Sequence, residues 1–219
     1  MFARTSLEAQ LYPPLTTKIL FRVYEPRDFD ACLAIYRKNE SGRFPAGHMA
    51  TFTKYLEDGL KTFIVAEYKS KVVGYGGINL LAPNIAVLCY GIVTPEFQGQ
   101  RIGSSLVFLR LAQVPAAPGG TFFLIFAVDA SMPIYQCFGF QEKAKWEAED
   151  GTAHPLGLLH VPPDALDRVK SVMVRRGLRI NGNLVLHKTE NVSAEIERSA
   201  SGSYQVQLRP RAGGEDTHA

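Results

Sequence analysis

An α/β fold, one sheet with helices layered against it, is what this sequence predicts, and three observations predict it. Apolar residues switch repeatedly between strand-like runs and helical spacing along the first 161 positions. Two β-rich runs, together spanning 61–80, flank the short polar turn Tyr68-Lys69-Ser70-Lys71, which makes the early part of the sheet antiparallel. Two further runs, Ile85–Val93 and Thr121–Val128, are apolar almost without interruption, as expected of strands covered on both faces. At 219 residues the chain is long enough to bury one substantial core.

The elements follow in order. After a lead-in over 1–17, ILFRVY alternates as a strand, and EPRDFDACLAIYRKN has the helical spacing of Ala31, Leu33, Ala34 and Ile35 with Asp28 as N-cap. SGRFPAGH is a loop by its glycine, proline and serine. A second helix covers MATFTKYLEDGL and closes at Gly59. The hairpin and the strand Ile85–Val93 come next, then a helix over 102–113, the loop VPAAPGG and the strand TFFLIFAV. MPIYQCF makes a short helix stopped by Gly139, and FQEKAKWEAEDG and HPLGLLHV supply two more strands. The order is β-α-α-β-β-β-α-β-α-β-β, a layered α/β pattern that does not by itself give a function.

Beyond Val161 the character changes. Pro162-Pro163-Asp164 marks a boundary and a helix start; Val169, Val172, Met173 and Arg176 share a face, and Gly177 caps the end. LRINGNLVLH, turning at Asn181-Gly182, and VSAEIERSASGSYQVQLR read as short strands, giving a small α/β extension over 162–209. The extension could close a cleft, form a homodimer interface or extend the sheet; the sequence leaves these open. Residues 210–219 have no periodicity and read as disordered.

Composition excludes several classes. The net charge of +3 comes without any dense Lys/Arg block, so a nucleic-acid partner gains no support. No run approaches the ~18 apolar residues of a membrane span, and the N-terminus lacks a signal-peptide core. Cys32, Cys89 and Cys137 sit in apolar surroundings without metal spacing, as reduced core thiols do. A cytoplasmic protein with no resident metal and no membrane partner is the expectation. Ser, Cys and His are not arranged as a hydrolase triad.

One segment asks for more than a connector. QGQRIGSS lies between two core elements, the strand ending at Val93 and the helix beginning near Ile102. A helix N-terminus offers unpaired N–H groups and the positive end of the helix dipole to an anion. Gly99 and Gly103 let the backbone approach a ligand, Ser104 and Ser105 keep the first turn slim, and Arg101 adds charge. The alternative is a glycine turn with no ligand. The spacing is neither GxGxxG nor GxxxxGK[ST].

Val93-Thr94-Pro95-Glu96-Phe97-Gln98-Gly99-Gln100-Arg101-Ile102-Gly103-Ser104 resembles the acetyl-CoA motif of the GNAT superfamily of N-acetyltransferases, Val-x-Pro followed by [Q/R]-x-x-G-x-[G/A] and an apolar helix. Arg101 stands where that family most often has its middle glycine. A second stretch, IYQCFGF, resembles the later LYxxxGF motif, with Tyr135, Gly139 and Phe140 in register. The resemblance covers residues 18–161 and implies a mixed, mostly antiparallel central sheet flanked by helices. It also implies acetyl-CoA as acyl donor. The backbone of Gly91, Ile92 and Val93 would pair with the pantetheine arm like an extra strand, and Gln98, Gly99, Gln100, Arg101, Ile102, Gly103 and Ser104 would hold the pyrophosphate.

Acetyl transfer to an amine needs a neutral nucleophile, a polarised thioester carbonyl and a proton for the leaving thiolate. The resemblance gives the carbonyl donor to the N–H of Ile92 or Val93 and the general acid to Tyr135. A phenol, with an ordinary pKa near ~10, is protonated at neutral pH and can donate. The base is unassigned: Asn84–Val93 holds no carboxylate, Cys89 and Tyr90 read as packing residues, and Glu67 as a solvated residue beside a turn. Relatives often carry Asn seven residues before the tyrosine; Val128 stands there, with Asp129 and Ser131 nearby. His48, His154 and His160 read as bland, and Trp146 as lining or filling the acceptor cleft. The expected function is acetyl-CoA-dependent N-acetyltransfer to a primary amine of a small molecule or peptide in a ternary complex. The alternative is a non-catalytic acyl-CoA sensor or regulatory module.

Overall fold

The computed structural model describes residues 18–39, 44, 47–58, 62–147, 151–189 and 192–210. The expected lead-in over 1–17, the expected tail from 211 onward and Gly59, the expected helix stop, lie outside them, while Pro210, expected to open the tail, ends a strand instead. The strands are β1 (Leu20–Val23), β2 (Phe63–Tyr68), β3 (Lys71–Ala82), β4 (Ile85–Val93), β5 (Thr121–Phe126), β6 (Gln141–Glu147), β7 (Ala153–Val161), β8 (Ile180–Asn181), β9 (Val192–Arg198) and β10 (Tyr204–Pro210). The α-helices are α1 (Phe29–Asn39), α2 (His48–Glu57), α3 (Ile102–Leu111), α4 (Met132–Gln136) and α5 (Pro163–Arg175).

Eight strands form one sheet in the order β6-β7-β5-β4-β3-β2-β1-β8, and β9 and β10 pair separately. Its pairs are antiparallel except β4–β5 and β1–β8, which are parallel. A parallel neighbour needs a crossover, and α3 supplies it between β4 and β5. The sheet is therefore mixed and mostly antiparallel with helices on both faces, as the resemblance implies.

Side chains alternate along the strands and sort into two faces. Ala86 and Leu88 of β4 pack with Leu106, Val107 and Leu109 of α3, Met132 and Tyr135 of α4, and Leu166 and Val169 of α5. Ile85 and Val87 turn the other way, under Ile196, Val206 and Leu208 of the β9–β10 hairpin. On that face Phe63, Val65 and Tyr75 meet Cys32, Tyr36, Phe52 and Leu56 from α1 and α2. The segment after α5 also touches the sheet edge: β8 lies parallel to β1, and Leu80 exchanges backbone hydrogen bonds with His187 and Thr189. LRINGNLVLH thus contributes only Ile180–Asn181 as a strand. Gly177, at φ +65°, ends α5 with Leu178 N–H reaching back to Met173 O at 3.0 Å, the capping its position predicts.

Five expectations are corrected. Asp28 is not the N-cap of α1: it ends a short 3-10 turn over Pro26–Asp28 and is buried, its carboxylate gripped by both Arg22 Nη atoms at 2.7 and 2.8 Å. Glu67 is not solvated beside its turn; it accepts from Arg22 Nε at 2.8 Å and completes that ion-pair cluster. Cys137 is exposed: as the C-cap of α4 it continues a turn whose buried side is Met132, Tyr135 and Phe138, which leaves position 137 outward. The helix over 102–113 ends at Leu111, and the strand over 121–128 at Phe126.

Candidate functional site

The parallel strands β4 and β5 diverge part-way along. Their pairing stops at Leu88↔Ile125, while β4 runs on to Val93 against β3. A bulge lies just past that point: Tyr75 faces Ile92 and Gly77 faces Cys89, so β4 fits Tyr90 and Gly91 opposite the single residue Gly76. Tyr90 takes φ +50° to do so. Thr94 N–H donates to Val73 O on the β3 side at 2.9 Å. Alternation along a strand then turns the N–H of Val93, not of Ile92, to the open edge facing the gap.

A cavity of about 790 Å³ fills the fork. Its walls include Gly91, Ile92, Val93, Gln98, Gly99, Arg101, Ile102, Gly103, Ser104 and Tyr135, so the two sequence motifs meet in one space. Gln100 is not among its wall residues; its amide folds back to Glu96 O at 3.4 Å. Ile102 is 1% exposed, its side chain in the core, so only its backbone faces outward. Gln98 Nε2 donates to Val93 O at 3.0 Å and to Asn39 Oδ1 at 3.1 Å, bracing the end of β4 against α1.

The mouth of the cavity at α3 has the features of an anion cradle. The first hydrogen bond within that helix runs from Ser105 N–H to Arg101 O, and no side chain caps its N-terminus. The N–H groups of Ile102, Gly103 and Ser104 therefore lack intrahelical acceptors. A Cβ on Gly99 would meet nothing within 4 Å, and one on Gly103 only Val93, at 3.8 Å, so the loop is open to a bulky group. Arg101 occupies the N-cap in the left-handed region, φ +66° and ψ +8°, a conformation that favours glycine. A pyrophosphate fits these donors, and a peptide-like arm fits the unpaired edge of β4.

At the inner end Tyr135 is 7% exposed and packs edge-on to Phe140. Arg110, in the last turn of α3, is 1% exposed and reaches across the sheet toward the same place. Phe44, His48, Tyr90 and Trp146 also line the cavity; His48 stacks on Phe44 and lies against Tyr90, with its Nδ1 3.2 Å from Tyr36 Oη, while Trp146 packs on Phe126. Trp146 donates to Ala127 O at 3.2 Å and lines the cavity rather than plugging it. Val128 and Ser131 are wall residues; Asp129 instead faces Lys145 and His154. Cys89 meets Tyr55 Oη at 3.4 Å, and burial pushes its thiol up to about 11, which suits packing and not base chemistry.

Asn39, His48 and Arg110 line the cavity without having been singled out as site residues. Arg110 alone carried a readable signal, as the one charge within IGSSLVFLRL.

Among the described residues no helix is long and apolar enough to cross a membrane. No curated protein sequence matches the chain. Solved structures that it resembles include an acetyltransferase of the GNAT family from Staphylococcus aureus Mu50 (14% identity, TM-score 0.53, 65% of this chain and 99% of that one). Others are the Thermoplasma acidophilum paia N-acetyltransferase in complex with coenzyme A (14%, 0.50, 66% and 99%) and the Escherichia coli ribosomal-protein-S18-alanine N-acetyltransferase (17%, 0.50, 66% and 95%). At such identities these likenesses speak for the fold. The family profile described as Acetyltransferase (GNAT) domain matches residues 32–155, more than half of the chain. With the forked sheet, the open loop at α3 and the profile in agreement, the chain belongs to the GNAT acetyltransferase family.

Proposed function

We propose that this acyltransferase moves the acetyl group of acetyl-CoA to a primary amine of a small molecule or peptide by direct attack in a ternary complex. Its family makes acetyl-CoA the co-substrate. The observation that carries the finer reading is one cavity that joins the uncapped N-terminus of α3, the unpaired edge of β4, Tyr135 and the aromatic residues Phe44, Tyr90 and Trp146.

In this reading the N–H groups of Ile102, Gly103 and Ser104 hold the pyrophosphate, with Arg101 adding charge and Gly99 giving room. The backbone of Gly91 to Val93 takes the pantetheine arm as a strand takes a neighbour. Val93 N–H, on the open edge, polarises the thioester carbonyl. Tyr135 Oη donates its proton to the departing sulfur. The amine arrives past Phe44, His48, Tyr90 and Trp146, where no carboxylate lines the cavity among the described residues. In this reading His48, a wall residue hydrogen-bonded to Tyr36, takes the amine's proton.

A melting scan tests binding. Ligand at 100 times its dissociation constant adds about 2.7 kcal/mol, roughly 5–10 °C for a chain of this size. No shift with acetyl-CoA or CoA would remove the reading. Steady-state release of free thiol with members of an amine panel then separates an enzyme from a CoA-binding regulatory module.

A further inference from the structure

Two arginines among the described residues are buried, and they are treated differently. Arg22 is held by Asp28 and Glu67 at 2.7 and 2.8 Å. Arg110, 1% exposed, has no carboxylate partner among the described residues. Its Nε donates to Leu106 O at 3.0 Å, and its Nη1 to Gly77 O and Cys89 O at 3.2 and 3.3 Å. Backbone dipoles thus satisfy one side of the guanidinium and leave its charge uncancelled. Burying a charge without an anion is costly, and the chain has made room for it. A Cβ on Gly76 would lie 2.9 Å from Arg110 Cζ.

Nη2 is the atom left over. A Cβ on Gly91 would lie 3.1 Å from Arg110 Nη2 and 2.9 Å from Tyr135 Oη. Gly91 lies at the bulge, on the cavity wall, so both donors border one small space inside the fork. Two donors that converge on a point suit a single anionic atom. A carboxylate would call for the two-nitrogen fork of a guanidinium, and here Nη1 is already engaged.

From this geometry we infer that Arg110 Nη2 and Tyr135 Oη together form the site of the CoA thiolate, with Arg110 as a second catalytic residue. This rests on the acetyl-CoA reading above. When the amine nitrogen bonds to the thioester carbon and the C–S bond breaks, the bonding pair goes to sulfur. Arg110 balances that charge as it develops. Tyr135 delivers a proton to sulfur, and the proton lost by the new amide nitrogen passes to His48 or solvent, from which Tyr135 regains its own. Among the described residues the other ionisable groups bordering the cavity are Cys89 and Tyr90 on β4, His48 on α2 and Arg101 at the head of α3. No carboxylate among them opposes the effect.

The test reads the thiol and not turnover. CoA and desulfo-CoA, which lacks the sulfur, are titrated calorimetrically into the protein between about pH 6.5 and about pH 9, around the ordinary thiol pKa of ~8.5. A cation beside the sulfur lowers that pKa. The affinity ratio of CoA over desulfo-CoA then climbs about tenfold for each unit of lowering. Arg110→Met is expected to flatten the climb while desulfo-CoA still binds, and Arg110→Lys to keep part of it. Gly91→Ala, which fills the shared space, weakens CoA more than desulfo-CoA and serves where Arg110→Met does not fold. A flat ratio in the unaltered protein, or equal climbs with and without Arg110, overturns the inference and leaves the acetyl-CoA reading standing. Failure of both ligands to bind removes that reading and this one with it. Malonyl-CoA binding tenfold tighter than acetyl-CoA, in an Arg110-dependent way, would assign the guanidinium to an acyl carboxylate and overturn the thiolate site.

Discussion

Arg101→Gly separates two roles of one residue. At φ +66° an L-residue carries a penalty of about 1–2 kcal/mol, whereas glycine carries only its extra unfolded-state entropy of about 0.5–1 kcal/mol. The difference favours glycine by roughly 0.5–1 kcal/mol, so the ligand-free protein should melt about 1–4 °C higher at ~2–4 °C per kcal/mol. Binding should move the other way. Arg101 is a cavity-wall residue at the uncapped N-terminus of α3. If it faces the pyrophosphate as proposed, this partly buried charge is worth up to about 1 kcal/mol, or about fivefold in acetyl-CoA affinity. Scanning calorimetry of the free protein and titration calorimetry with acetyl-CoA measure the two effects separately. The affinity loss should shrink in ~1 M salt, where the Debye length is ~3 Å. Arg101→Asn, neutral but tolerant of the left-handed region, should lose affinity without losing stability. An unchanged or lower melting temperature for Arg101→Gly would show that the backbone there is not strained. Tighter binding at low salt would show that the side chain obstructs the cradle.

Tyr135→Phe should lower kcat for acetyl transfer by about a hundredfold or more, the usual range of a lost general acid, with acetyl-CoA affinity intact by calorimetry; a loss below tenfold would remove the acid role. Asp28→Asn breaks the buried pair with Arg22 but leaves Glu67 as a partner. Its cost should fall near the low end of the 3–5 kcal/mol range, about 3 kcal/mol in urea unfolding, and a value under ~1 kcal/mol would contradict the assigned burial. Glu96, hydrogen-bonded by Thr94 Oγ1 and Lys38 Nζ, has its carboxyl held down at about 2. Because the folded value is depressed, its stabilising contribution is present above the ordinary carboxylate range and is lost as pH falls toward 2. In an NMR titration Thr94→Val should return Glu96 toward an ordinary value, and no change would place the cause elsewhere.

Much of the fold was readable because its signals are local. The strands β2 to β5 declare themselves by apolar β-branched runs, and the hairpin by its polar turn. QGQRIGSS and IYQCFGF were readable as motifs because their glycines answer to backbone geometry, as Gly99 and Gly139 do at positive φ. Asp28 misled because an acidic residue ahead of an amphipathic segment looks the same whether it caps a helix or pairs with an arginine on a neighbouring strand. Cys137 misled because its apolar neighbours in sequence are buried by a helix that turns position 137 itself outward.

By itself the sequence determined the order of the elements, the family of the chain and the two motifs, since each depends on residues near one another along the chain. Only the tertiary structure decided where β4 and β5 part company, that Val93 rather than Ile92 turns its N–H to the gap, and that His48 joins the cavity wall. The same holds for Arg110. In sequence it is one charge in a greasy helix; in space Gly76 and Gly91, on two other strands, leave it room to lie beside Tyr135. Convergence of groups from distant elements depends on packing, and no periodicity in the chain records it.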